Sequence, residues 1–146
     1  MVISKPEDSA TSGKAEAPPP NEQPVIRTTA MPADTNPDGD IFGGWLLAQM
    51  DLAAGSLACR RAQGRIVTAA VDGMSFLHPV FVGDEVSLYA RLLSSGRSSM
   101  RVFVEAWRRH RDSEETQKVT EATFVCVAVD RDRRPRPIPP APSPGS

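Results

Sequence analysis

Little in this sequence points to charge-driven partners, a membrane or a disulfide scaffold. Its 146 residues carry 17 Lys and Arg against 18 Asp and Glu, a net charge of -1. Without a basic surplus or a basic stripe in the body of the chain, nucleic acid is not an expected partner. The longest apolar run is short and broken by Gln49 and Asp51, which excludes a membrane-spanning helix. Met1-Val2-Ile3-Ser4-Lys5-Pro6 lacks the apolar segment of a secretory signal. Two cysteines, Cys59 and Cys126, make no disulfide framework and show no metal-ligand spacing with histidine, so no metal is expected. The expectation is a cytoplasmic chain with reduced thiols.

Proline is also scarce, but only in the middle. Of 14 prolines, all but Pro32, Pro37 and Pro79 fall in residues 1–24 or 135–144. Runs such as Ala15-Glu16-Ala17-Pro18-Pro19-Pro20 have too few apolar side chains to offset the entropy of ordering. Residues 1–23 and 137–146 are therefore expected to be disordered tails around one folded domain, 24–136. Arg131, Arg133, Arg134 and Arg136 form a basic cluster at its edge, read as a solvated end.

Within the domain, Val25-Ile26-Arg27-Thr28-Thr29 reads as an opening strand, and residues 32–43 as a loop rich in turn formers. Residues 44–63 have a helical pattern with Gly64 at the stop. Four β-rich segments follow, near 65–77, 85–94, 98–109 and 118–129. Val86, Leu88, Ala90 and Leu92 alternate with polar neighbours, as do Met100, Val102, Val104 and Ala106. Sequential strands with tight connections predict an antiparallel sheet, and one helix is available to cover its apolar face. The fold class is α+β, a long curved sheet wrapped round a single helix.

That helix carries a misplaced acid. Leu46, Met50, Ala53 and Leu57 make a bulky apolar face, whereas Gly44, Ala48, Asp51, Gly55 and Ala62 make a stripe that is small except for Asp51. The neighbours of Asp51 one turn away are Leu47, Ala48, Ala54 and Gly55, so no cation on its own helix pairs with it. An isolated carboxylate among apolar groups is costly, and proteins keep such groups mainly where they work. The competing readings are a stripe facing solvent, or an arginine supplied from elsewhere in the fold. Just before the helix, Asp38-Gly39-Asp40-Ile41-Phe42-Gly43-Gly44 enters it through two glycines. Unsatisfied N–H groups at a bare helix start suit an oxyanion hole, although the pair can also serve only as a turn. Gly43 and Gly44 stand close before Asp51, which suggests one cleft. His78, before Pro79, reads as structural or substrate-facing. His110 reads as solvated, Trp107 as packing, and Cys59 and Cys126 as small core residues.

Several motifs in order then resemble a known family. Arg27-Thr28-Thr29-Ala30-Met31-Pro32-Ala33-Asp34-Thr35-Asn36, Gly39-Asp40-Ile41-Phe42-Gly43-Gly44-Trp45 and Gln49-Met50-Asp51 resemble the YciA-type acyl-CoA thioesterases, hotdog-fold acyl-CoA hydrolases. Gly73-Met74-Ser75-Phe76-Leu77, Val82-Gly83-Asp84, Gly96-Arg97-Ser98-Ser99 and Val127-Ala128-Val129-Asp130 extend the likeness over about 25–139. The resemblance implies a hotdog fold and a homodimer, commonly a trimer of dimers, with acyl-CoA at the subunit interface. It implies that Asp51 activates water as general base or attacks as nucleophile, and that the Gly43 or Gly44 N–H of the facing subunit holds the oxyanion. Asp40 would orient the water or the thioester, and Arg97, Ser98 and Ser99 would contact CoA. No cofactor is implied, since CoA belongs to the substrate. His78 departs from the arginine expected there. Two other functions fit the same fold: a non-catalytic acyl-CoA binding module, and a hotdog enoyl-CoA hydratase, for which the histidine is missing after Asp34-Thr35-Asn36-Pro37.

Overall fold

The structure is a computed structural model that describes residue 18 and residues 22–141. In chain order it contains β1 (Ile26–Thr29), a 3-10 turn (Pro32–Asp34), α1 (Gly43–Ala62), β2 (Ile66–Phe76), β3 (Glu85–Ser95), β4 (Ser99–Arg109) and β5 (Thr116–Ala128). Each element falls within a few residues of its expected place. The helix stops before Gly64 as expected, and its cap residue Gln63 takes the left-handed position, with φ 52° and ψ 47°. Gly64 serves another purpose, because a Cβ there would stand 2.6 Å from the Arg136 guanidinium that passes over it.

All strand pairs are antiparallel, in the order β1-β3-β4-β5-β2. Sequential neighbours pair as expected except at β2, which skips β3 and pairs with β5. The connection over residues 77–84 carries Pro79, and it is too long and too stiff for the tight turn of a hairpin. Asp84, only 2% exposed, anchors this connection. It accepts from the Phe81 N–H at 2.9 Å, lies 3.5 Å from Arg108, and meets His110 Nδ1 at 2.6 Å. His110 is thus a partner of a buried carboxylate, stacked on Phe81, rather than a free surface residue. Its sequence neighbours concealed this because its partner sits 26 residues away.

The core lies between α1 and one face of the sheet. Alternation in β3, β4 and β5 sends Val86 and Leu88, Met100, Val102, Val104 and Ala106, and Ala122, Phe124, Cys126 and Ala128 towards the helix. From α1 come Leu46, Met50, Ala53, Ala54, Ala58 and Ala62, all buried. Two helix readings change accordingly. Leu57 is only half-buried, and the small stripe is not one surface: Ala62 is in the core, Gly44 and Ala48 are exposed, and Asp51 and Gly55 sit between.

After β5 the chain folds back. Arg136 donates to the carbonyls of Val129 and Ala62, and Ile138 packs on the core while its N–H bonds the Arg97 carbonyl at 2.8 Å. Arg61 donates to the Pro139 carbonyl at 2.6 Å. The packed body thus runs beyond the expected limit at residue 136. Residues 142–146 and most of the expected amino-terminal tail lie outside the described residues. Among the described residues, no helix is long and apolar enough to cross a membrane.

Phe124 is the largest fully buried side chain. Phe124→Ala is expected to lower the unfolding free energy by about 3–5 kcal/mol, read from urea midpoints at unchanged slope.

Candidate active site

Asp51 sits in the middle of α1, half-buried, on the seam between the core face and the outward face. The partner it lacks on its own helix comes from the sheet: Thr68 on β2 donates its hydroxyl to Asp51 Oδ1 at 2.6 Å. No described group bonds the second carboxylate oxygen. Thr68 stands directly opposite Cys126 of β5, which is fully buried. Burial first, and the charge of Asp51 second, push the Cys126 thiol up to about 11, while a hydrogen bond with Thr68 pulls the other way. Asp51, Thr68 and Cys126 therefore form one electrostatic group. Residue-by-residue reading missed Thr68 and took Cys126 as core alone. No local pattern joins positions 17 apart on a helix and a strand.

The two glycines occupy the other end of the molecule. A Cβ on Gly43 would touch the Phe76 ring at 3.1 Å, whereas nothing lies within 4 Å of one on Gly44. Beside Gly43 opens an apolar cavity of about 350 Å³, walled by Ile41, Phe42, Leu46, Phe76, His78 and Val119, among others. Asp40 is exposed in the turn before the helix. Its backbone N–H is held by Asn36 Oδ1 at 3.0 Å, and its carboxylate has no partner among the described residues.

Asp51 and the glycine pair do not share a cleft within this chain. Seven residues of helix separate Gly44 from Asp51, about 10 Å along the axis. The sheet repeats the separation: Phe76 pairs with Thr120 and Thr68 with Cys126, six residues apart on β5 or about 20 Å. Arg97, Ser98 and Ser99 form the β3–β4 turn at the Asp51 end, where the Ser98 carbonyl accepts from the Ala128 N–H. Ser99 pairs with Val127, next to Cys126. The expected site residues thus divide into two groups: Asp51 with the Arg97–Ser99 turn, and Asp40, Gly43 and Gly44 with the apolar cavity. Among the described residues, no three His, Cys, Asp or Glu side chains converge to hold a metal ion.

In sequence and fold the chain is similar to known proteins. The model of the thioesterase superfamily matches residues 38–115. The acyl-CoA thioester hydrolase YciA of Escherichia coli strain K12 is 52% identical over 109 residues, 73% of this chain and 83% of that protein. An acyl-CoA thioester hydrolase of Zymomonas mobilis, described as uncharacterized, is 53% identical over 76% of this chain and 74% of its own length. Among solved structures, the hexameric thioesterase y2039 of Yersinia pestis superposes with a TM-score of 0.78 at 51% identity, covering 84% of this chain and 99% of that one. A hexameric hotdog fold thioesterase of Campylobacter jejuni gives 0.75 at 40% identity, covering 81% and 91%.

Cys126 is buried in the core as expected, but Cys59, on the outward side of α1, is exposed rather than a core residue. A chromogenic thiol reagent at pH 8 is expected to modify one of the two thiols in the native protein and both in denaturant. Cys126 also ties stability to pH. Its folded-state value is raised from 9.0 to about 11, so the unfolded chain loses that proton first. The contribution is complete below about pH 9 and is lost as pH rises towards 11, a decline that unfolding curves across that window will show.

Proposed function

This chain belongs to the thioesterase superfamily, and we propose that it hydrolyses acyl-CoA thioesters to a free carboxylic acid and CoA in a site shared between two subunits. One observation carries the reading: Asp51, held by Thr68 on a helix that offers it no cation, with one carboxylate oxygen left open. A carboxylate fixed through one oxygen presents the other to a water molecule, as a general base requires, or to the thioester carbon itself. The reaction draws on no cofactor, since CoA arrives with the substrate.

The two groups of site residues become one site when two chains pair. β2 is an edge strand whose outer side has no ladder partner among the described residues. Apolar side chains stand exposed beside it, including Leu52 at 62% and Phe76 at 53%. Full-length antiparallel pairing of Ile66–Phe76 with its own copy sets Ile66 opposite the partner subunit's Phe76. Thr68 and its Asp51 then come within two or three residues of the partner's Phe76, the ring that lies on Gly43. The open N–H groups of the partner subunit's Gly43 and Gly44 would meet the thioester oxygen there. The apolar cavity beside them accepts the acyl chain, and Asp40, next in sequence to Ile41 of its wall, orients water or thioester. Arg97, Ser98 and Ser99, at the Asp51 end, are placed for CoA. Assembly as a trimer of dimers is supported by the hexameric thioesterases of like fold.

Thiol release over acyl-CoA substrates from acetyl to palmitoyl tests the reading. Clear turnover is expected, with Asp51→Ala slower by about 100-fold or more. Turnover unaffected by the substitution would sink the role of Asp51. Binding of acyl-CoA without thiol release from any substrate would leave a binding module in place of an enzyme. Gly44→Ala gives a second check, because a methyl there meets nothing in its own chain. It is expected to keep or slightly raise thermal stability while lowering kcat, since the methyl projects where the thioester must approach.

A further inference from the structure

The basic cluster after β5, read from the sequence as a solvated end, takes part in a recess. The chain turns over Asp130–Arg134, where the Asp130 N–H bonds the Arg134 carbonyl at 2.8 Å, and returns beside itself at the Val129–Pro135 bridge. With Gln63, Gly64 and Arg65 this turn walls a recess of about 380 Å³ that carries Arg65, Arg131 and Arg136 against one acid, Asp130. The Oδ1 atom of Asp130 is taken up by the N–H groups of Asp132 and Arg134. Elsewhere the arginines find acids: Arg27 and Arg109 pair with Glu85, Arg101 with Asp72 and Arg108 with Asp84. Among the described residues, no carboxylate forms an ion pair with Arg65, Arg131 or Arg136. Arg136 is fixed by the carbonyls of Val129, Ala62 and Arg65, which hold its guanidinium without cancelling its charge. In a chain of net charge -1, this concavity concentrates positive potential and suits an anion.

Its place in the fold names the anion. Arg65 stands just before β2, the edge strand, and precedes Thr68 by three residues, about 10 Å along the strand. Val67 and Ser99 flank the same residue of β5, Val127, and the Ile138 N–H bonds the Arg97 carbonyl at 2.8 Å. The recess and the Arg97–Ser99 turn therefore lie at one end of the sheet, the end that holds Asp51. With the thioester at Asp51 and the acyl chain in the apolar cavity, what is left of the substrate is a pantetheine arm that ends in phosphates. The ribose 3′-phosphate is a terminal monoester, carrying close to two negative charges at neutral pH. The planar fork of a guanidinium matches its oxygens.

We propose that this recess holds the 3′-phosphate of CoA, on the exposed side chains of Arg65 and Arg131, with Arg136 as a fixed charge behind them. The inference rests on the thioesterase reading and adds to it a means of selecting CoA thioesters over thioesters of pantetheine compounds that lack this phosphate.

Calorimetric titration of the full chain with CoA and with 3′-dephospho-CoA tests the recess without any turnover. CoA is expected to bind about tenfold tighter or more, by a margin that shrinks as salt is raised. Arg65→Gln and Arg131→Gln are each expected to weaken CoA by about tenfold and to leave dephospho-CoA nearly unchanged. Arg111→Gln, which makes the same change in net charge in the β4–β5 turn at the far end of the sheet, is expected to leave both ligands unchanged. In thiol release from an acyl-CoA, the two recess variants are expected to raise KM by a similar factor at nearly constant kcat. Equal affinity of the wild-type chain for CoA and dephospho-CoA would overturn the proposal. So would equal losses for both ligands in the recess variants, which would assign the arginines to another part of CoA. Discrimination by the recess without thiol release from any thioester would uphold the phosphate site and sink the hydrolase reading alone.

Discussion

One helix must cover one whole face of a five-stranded sheet, and most of the molecule follows from that constraint. The contact is made close by small residues: Ala53, Ala54, Ala58 and Ala62 are all fully buried, which lets the helix axis approach the curved strands more closely than leucines would. Large side chains fill from the sheet instead, Phe124 foremost. Because a single helix covers only part of the width, its flank stays open along β2. Asp51 lies on that flank, near enough to the sheet to reach Thr68 and far enough out to face whatever pairs with the edge.

The elements themselves were legible because period-2 alternation and a proline-free, alanine-rich stretch are local signals. What stayed hidden was set by distance in the chain. Nothing in the β2 segment says that it will skip β3 for β5, and that choice decides which edge remains free. Thr68 looks like any polar position of a half-buried strand, and His110 like any residue beside two arginines, until Asp51 and Asp84 are brought to them. The isolation of Asp51 was readable from its helix neighbours, and so was the bare approach through Gly43 and Gly44. The single cleft that their spacing suggested is not found within one chain. Adjacent in sequence pattern, they stand about two helical turns apart.

That separation changes how activity and assembly relate. On the proposed reading each chain holds two half-sites at opposite ends of one edge strand, and a two-fold copy brings unlike halves together. In such an arrangement a substitution in β2 acts on chemistry through pairing, even where it touches no substrate. It also explains why the apolar cavity beside Gly43 carries no carboxylate of its own among the residues that wall it.

The clasp at the carboxyl end has a consequence for the order of folding. The last turn of α1 finds partners for its backbone and side chains 74 and 78 residues later, where Arg136 reaches the Ala62 carbonyl and Pro139 receives Arg61. During synthesis, α1 and all five strands are made before the residues that close the helix end. Until they are made, the last turn of α1 lacks those partners. Such long-range closure belongs to the non-local contacts that slow folding, and it makes the finished helix end depend on residues 136–139.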